Sequence, residues 1–194
     1  MTESVRAAAK EKTRDTLLDT GLALAETTGL EALSVNAVTA AAGVAKGTFF
    51  HHFGDRTSYL VALHRRFHDG ILDEVQQAVA GMASGGERLS VMSNTYLDAC
   101  IRSRGVRALI LEARGLLPIQ AEITRRNDAI VALLAVDFVA LGWPSPSVAA
   151  RLWVAANAEC ALLELDLGRP DLDAREALRA FAQRPGQGSM NTST

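Results

Sequence analysis

Cysteine is scarce in this 194-residue chain, with only Cys100 and Cys160, too few for a disulfide framework. Neither stands at metal-ligand spacing or beside a histidine that would make it a nucleophile. Prolines number five, so long tracts run without a helix breaker. No stretch has transmembrane length, and no signal-peptide pattern follows Met1, so a reduced cytoplasmic protein without a membrane partner is expected. Neither sign of charge dominates: 20 Lys and Arg against 22 Asp and Glu leave a formal charge of −2. Bulk positive charge therefore cannot drive binding to nucleic acid or membrane, and any such binding must be local. Val/Ile runs of alternating polarity are missing, which argues against sheets. A Gly-rich phosphate loop, a Gly-x-Ser-x-Gly elbow and a His-Glu-x-x-His pair are missing too, and no enzyme or cofactor is expected.

What remains is 48% hydrophobic and 22% charged, enough to bury a core, and rich in Ala, Leu, Glu and Arg. An all-α fold of about nine helices follows. Leu17, Leu18, Gly21, Leu22, Leu24 and Ala25 give the first helix, about 8–28, its apolar face, and Gly29 stops it. Ser34 caps a short helix over 35–42, ended by Gly43. A helix over 45–51 follows after so brief a link that the two must cross steeply, as in a helix-turn-helix. Asp55 caps a long helix carrying Leu60, Leu63, Phe67, Ile71, Val75 and Val79. After the Gly-rich stretch 81–86, helices are predicted over 87–104, 106–114, 118–141, 147–167 and 171–182. The Gly/Ser/Asn/Thr-rich stretch 184–194 reads as a disordered tail.

Two short helices around a glycine occur in many proteins that never meet DNA. The segment Lys46-Gly47-Thr48-Phe49-Phe50-His51-His52-Phe53-Gly54-Asp55-Arg56 is more specific. A buried core helix would not place lysine, threonine and two adjacent histidines in a turn and a half. Lys46 and Arg56 can neutralise phosphates, Gly47 lets the backbone approach a duplex, and Thr48 offers a hydroxyl and a methyl to a base edge. Phe49 and Phe53, four apart, should pack inward while Phe50 and His51 face out.

The stretch Gly29-Leu30-Glu31-Ala32-Leu33-Ser34-Val35 through Gly43-Val44-Ala45-Lys46-Gly47-Thr48-Phe49-Phe50-His51-His52-Phe53 resembles the tetracycline-repressor (TetR) family of bacterial transcriptional regulators. The likeness is strong over about residues 10–63; beyond it, only length and helix count agree. It implies a three-helix DNA-binding domain at 1–56 and a ligand-binding and dimerisation domain at 57–183. The implied function is a homodimeric repressor that reads a palindromic double-stranded operator and leaves it when a small-molecule effector binds. Carried over by position, the DNA-binding residues would be Ser34, Asn36, Ala45, Lys46, Gly47, Thr48, Phe50, His51, His52 and Arg56. Phe50 lacks the hydroxyl often found there, which favours apolar contact with a sugar or thymine methyl. Ala45 stands where a serine often caps the helix, costing about 1 kcal/mol locally. Asn36 replaces a frequent arginine, which would favour adenine over guanine.

Residues 1–56 hold six Lys/Arg and seven Asp/Glu, so specific binding must rest on placement. Arg6, Lys10, Lys12 and Arg14 form either an arm that reaches phosphates or a solubilising terminus.

The helix over 147–167 is apolar almost all round and must be buried on two sides. A two-fold dimer built from it and 171–182, using Leu152, Ala156, Leu163, Leu178 and Phe181, answers that demand; a monomer with a central helix is the alternative. A ligand cavity is expected among the helices over 87–104, 118–141 and 147–167, with Met92, Tyr96, Cys100, Asn127, Trp153, Asn157 and Glu159 as candidate lining. Asn157 and Glu159, read as buried, need partners from the ligand, Arg151 or the dimer mate. The few aromatics argue against an aromatic cage. His64 and His68, four apart, have chelating spacing but no evident third ligand, and no metal is assigned. The competing reading is a helical small-molecule-binding protein or enzyme whose helix-turn-helix is incidental.

Overall fold

The computed structural model describes residues 3–183, with side chains placed from residue 5. Among them are nine helices and no strand: α1 (Glu3–Ala25), α2 (Val35–Ala42), α3 (Lys46–Phe53), α4 (Arg56–Ala78), α5 (Gly86–Arg102), α6 (Arg104–Ala113), α7 (Leu117–Ala140), α8 (Pro146–Leu167) and α9 (Leu172–Ala182). The fold class agrees with the expectation, while the expected tail at 184–194 lies outside the described residues. Several boundaries differ, and two of the regions are informative. The first helix starts at Glu3, because Ala and Lys are good helix formers, and stops at Ala25. Gly105, expected between two helices, lies in the first turn of α6. A Cβ there would stand 2.3 Å from Glu26 Cα, so glycine serves close packing, not termination.

Two compact units divide the chain: the described part of Met1–Asp73 with Arg102–Arg125, and Glu74–Ile101 with the described part of Arg126–Thr194. In the first, Leu17, Leu33, Val38, Phe49, Phe53, Tyr59, Leu60 and Leu63 are buried. Tyr59 is central. Its ring lies 4.9 Å from both Phe49 and Phe53, and its Oη donates to Leu17 O at 2.9 Å. A Cβ at Gly21 would meet that oxygen at 1.8 Å, so a glycine lets α4 close on α1. Helix α6 is fastened to the end of α1 by two backbone donors: Gly105 N–H to Glu26 Oε2 at 3.1 Å and, in the other direction, Leu30 N–H to Glu112 Oε2 at 2.7 Å. Buried Glu122 accepts from Arg65 at 2.7 Å and from Arg125. Its burial favours the neutral acid, but the two guanidinium hydrogen bonds win and hold its pKa down at about 2.

The second unit has its apolar core at Leu89, Val131, Leu134, Phe138, Ala149, Ala150, Trp153 and Ala182. Two fully buried acids lie in this unit. Asp137 takes a bidentate bond from Arg88 at 2.7 and 2.6 Å and a third from Gly85 N at 2.9 Å. Glu164 takes the Arg175 fork at 2.6 and 3.0 Å and Asp171 N at 3.0 Å. Each carboxylate thereby recovers the hydrogen bonds lost on leaving water.

Candidate nucleic-acid interface

Helix α2 is delimited as its sequence demands. Ser34 Oγ accepts from Ala37 N at 3.2 Å. Gly43, at φ 67°, ends the helix and turns the chain, with Val44 N–H reaching back to Thr39 O at 3.0 Å. Helix α3 begins two residues later without a side-chain cap at Ala45, as its sequence leads one to expect. Gly54, at φ 76°, ends it, and Asp55 accepts from Ser58 N at 2.7 Å to start α4. That hydrogen bond holds the Asp55 carboxyl below its ordinary pKa.

The two faces of α3 differ as expected. Phe49 is fully buried and Phe53 nearly so, in mutual contact at 5.3 Å, whereas Ala45, Lys46, Gly47, Phe50 and His51 are exposed and Thr48 and His52 half-buried. On α2, Asn36 is exposed and Ser34 half-buried with its hydroxyl engaged as a cap. Nothing in the protein lies within 4 Å of a Cβ built on Gly47, and its φ is not left-handed. Packing and backbone geometry therefore leave glycine unexplained at this position.

Arg56, expected at phosphates, is engaged within the chain. Its Nε donates to Leu33 O at 3.1 Å and its Nη2 to Leu30 O, so the guanidinium fastens the segment before α2. Arg14 is likewise drawn inward, 4.6 Å over the Phe53 ring, with Nη1 reaching His52 O at 3.3 Å. Far from forming a loose arm, Arg6, Lys10, Lys12 and Arg14 lie within α1. Burial first, then His51 and the cations Lys10 and Arg14, lower the His52 pKa from its ordinary value. Tyr59, which braces α3 from beneath, carried no sequence signal beyond its aromatic character.

The candidate pocket residues fare less evenly. Met92, Tyr96 and Asn127 are half-buried and Cys100 buried. Trp153 belongs to the apolar core. Asn157 accepts from Ser93 and donates to Trp153 O at 2.9 Å, so its amide is satisfied within the chain. Glu159 is exposed, contrary to expectation, and the buried acid of α8 is Glu164. Five residues separate them, turning one about 140° from the other. Arg151 binds Asp128 at 2.7 Å instead. A cavity of about 10 Å³ lined by Ser90, Ser93, Asn94, Trp153, Arg175, Leu178 and Arg179 is of water size. Of the dimer candidates, Leu152 and Leu163 are exposed and Ala156 half-buried. Leu178 is spent inside its own subunit, and half-buried Phe181 lies 5.3 Å from Trp143. His64 is buried, and no three metal-ligating side chains converge among the described residues.

Residues 17–63 match the model of the "Bacterial regulatory proteins, tetR family". Solved structures share the fold over most of the chain. A transcriptional regulator from Rhodococcus sp. Rha1 is 24% identical, covers 87% of this chain and 93% of its own, and superposes with a TM-score of 0.74. A second Rhodococcus protein, described as a TetR-family transcriptional regulator, gives 19%, 88%, 97% and 0.75 in the same order. The multidrug binding protein EbrR, solved with imidazole, gives 23%, 90%, 97% and 0.70. The curated proteins yield no significant match.

Proposed function

We propose that the chain is a TetR-family homodimeric repressor released from a palindromic operator by a small molecule; the family's DNA-binding model matches residues 17–63, and solved regulators share the fold around it. The observation that carries this reading is α3 itself: an aromatic face anchored on Tyr59 and an outward face whose Gly47 no contact within the protein requires. Lys46, Gly47, Thr48, Phe50 and His51 would enter the major groove, with Ala45 at its entry. Asn36, Ser34 and His52 would lie toward the flanking backbone. Arg56 would act indirectly, by holding the segment before α2.

The dimer would use the exposed face of α8. Val148, Leu152, Leu163 and Leu167 lie there at multiples of roughly one helical turn, an apolar stripe left open to water in the single chain. A two-fold axis through this stripe would give two copies of α3, to be set about 34–36 Å apart on successive turns of DNA. The effector site would draw on Met92, Tyr96, Cys100 and Asn127, with Trp153, Asn157 and Glu159 better explained by core and surface roles. The functional domains would divide near residue 56, in a cytoplasmic protein that performs no catalysis.

Fluorescence anisotropy against the DNA flanking the gene tests this reading. Binding should weaken with salt, and Lys46→Ala should weaken it further while reducing the log–log salt slope by about 1. Salt-independent association, or binding indifferent to Lys46→Ala and His51→Ala together, would overturn it.

A further inference from the structure

The buried charges of this protein follow one pattern with a single departure among the described residues. Glu122, Asp137 and Glu164 are buried, and each is met by an arginine. Arg107 on α6 is buried too, only 7% exposed, yet its Nε is sealed from solvent without a hydrogen-bond partner. No ion pair compensates it among the described residues. A buried, unmatched cation is unfavourable, and an arriving anion relieves it.

We propose that Arg107 is the anchor for the carboxylate of the effector, and that the effector is an amphipathic monocarboxylic acid. This rests on the regulatory reading and names the ligand class for it. The planar fork of Arg107 matches the two oxygens of one carboxylate. A phosphate dianion would demand further donors, and on α6 the buried neighbours of Arg107 are Val106 and Ile110, which suit an apolar body.

The position also explains how occupancy would reach the DNA. At about 100° per residue, Arg107 projects some 140–160° around α6 from Gly105 and Glu112. Those two residues fasten α6 to Glu26 and Leu30, and Leu30 and Leu33 are the residues that Arg56 holds before α2. An anion drawn to one side of α6 therefore acts on a helix whose other side carries the helix-turn-helix.

The test uses the full chain and calorimetry without DNA, so that it does not depend on operator binding. The probes are a series of straight-chain monocarboxylates from acetate to dodecanoate, benzoate, their methyl esters, and inorganic phosphate. At least one acid should bind about tenfold or more tightly than its ester, and Arg107→Met should erase that preference while Arg107→Lys retains part of it. Unliganded Arg107→Met should melt about 2 °C or more above the parent, because an unmatched buried charge is gone. Failure of every acid, equal binding of acid and ester, phosphate matching the best acid, or a melting temperature that falls in Arg107→Met would each overturn the assignment. Acid binding by a chain that binds no operator DNA would instead overturn the repressor reading alone, and intact DNA binding without acid binding would overturn the anchor alone.

Discussion

In α3 the two faces differ in kind, with Phe49 and Phe53 buried against Tyr59 while Lys46, Gly47, Phe50 and His51 face water. Helix α8 is apolar on nearly every side, burying Ala149, Trp153 and Ala161 and exposing Val148, Leu152, Leu163 and Leu167. A helix with chemically distinct faces has one sensible orientation. A uniformly apolar helix has several, and its neighbours choose among them. That is why α3 carries a readable function and α8 only a demand for burial.

The comparison breaks most readily at α3. Phe49→Ala should lower unfolding free energy by about 3–5 kcal/mol, whereas Phe50→Ala should change it by less than about 0.5 kcal/mol and yet reduce DNA affinity. Denaturant titration of both variants reads the stability contrast, and equal losses would show that the two faces had been misassigned. In α8, Glu164→Gln removes the charge opposite Arg175 and should cost about 3 kcal/mol, while Glu159→Gln on the exposed face should cost far less. Thermal melts of the two variants would reverse in order if Glu159 were the buried acid.

A smaller effect is expected in acid. Glu122 has its pKa lowered from 4.5 to about 2 by Arg65 and Arg125, so the folded chain releases its proton more readily than the unfolded one. That contribution is fully present above pH 4.5 and disappears as pH falls through 2. Glu122→Gln should flatten stability against pH across that window, measured by urea midpoints at successive pH values. The smallest effect sharpens the functional claim. Gly47→Ala should stabilise the protein by about 0.5–1 kcal/mol, since a methyl meets open space on a helix, but should weaken operator binding. A variant both more stable and equally tight would remove the case for close backbone approach.

The order of helices was legible because their punctuation is local. Ser34, Gly43 and Asp55 act on backbone groups within a few residues of themselves, and they fall where the pattern places them. The inward and outward residues of α3 were legible for the same reason. Roles set by distant partners were not. Arg56 reads equally well as a phosphate ligand or as a clasp until Leu30 and Leu33 are brought beside it. Gly21 reads as part of an apolar face until Tyr59 arrives from 38 residues away.

The amino-acid order alone determined an all-helical chain, the helix-turn-helix and the outward character of Lys46, Gly47, Phe50 and His51, because propensity, capping and periodicity act over a turn or two. Tertiary structure decided which charges are buried and what answers them: Glu164 and not Glu159, Arg175 and not Arg151, and Arg107 unanswered. Burial and charge pairing depend on which helix faces which, and residues far apart along the chain settle that only once it has folded.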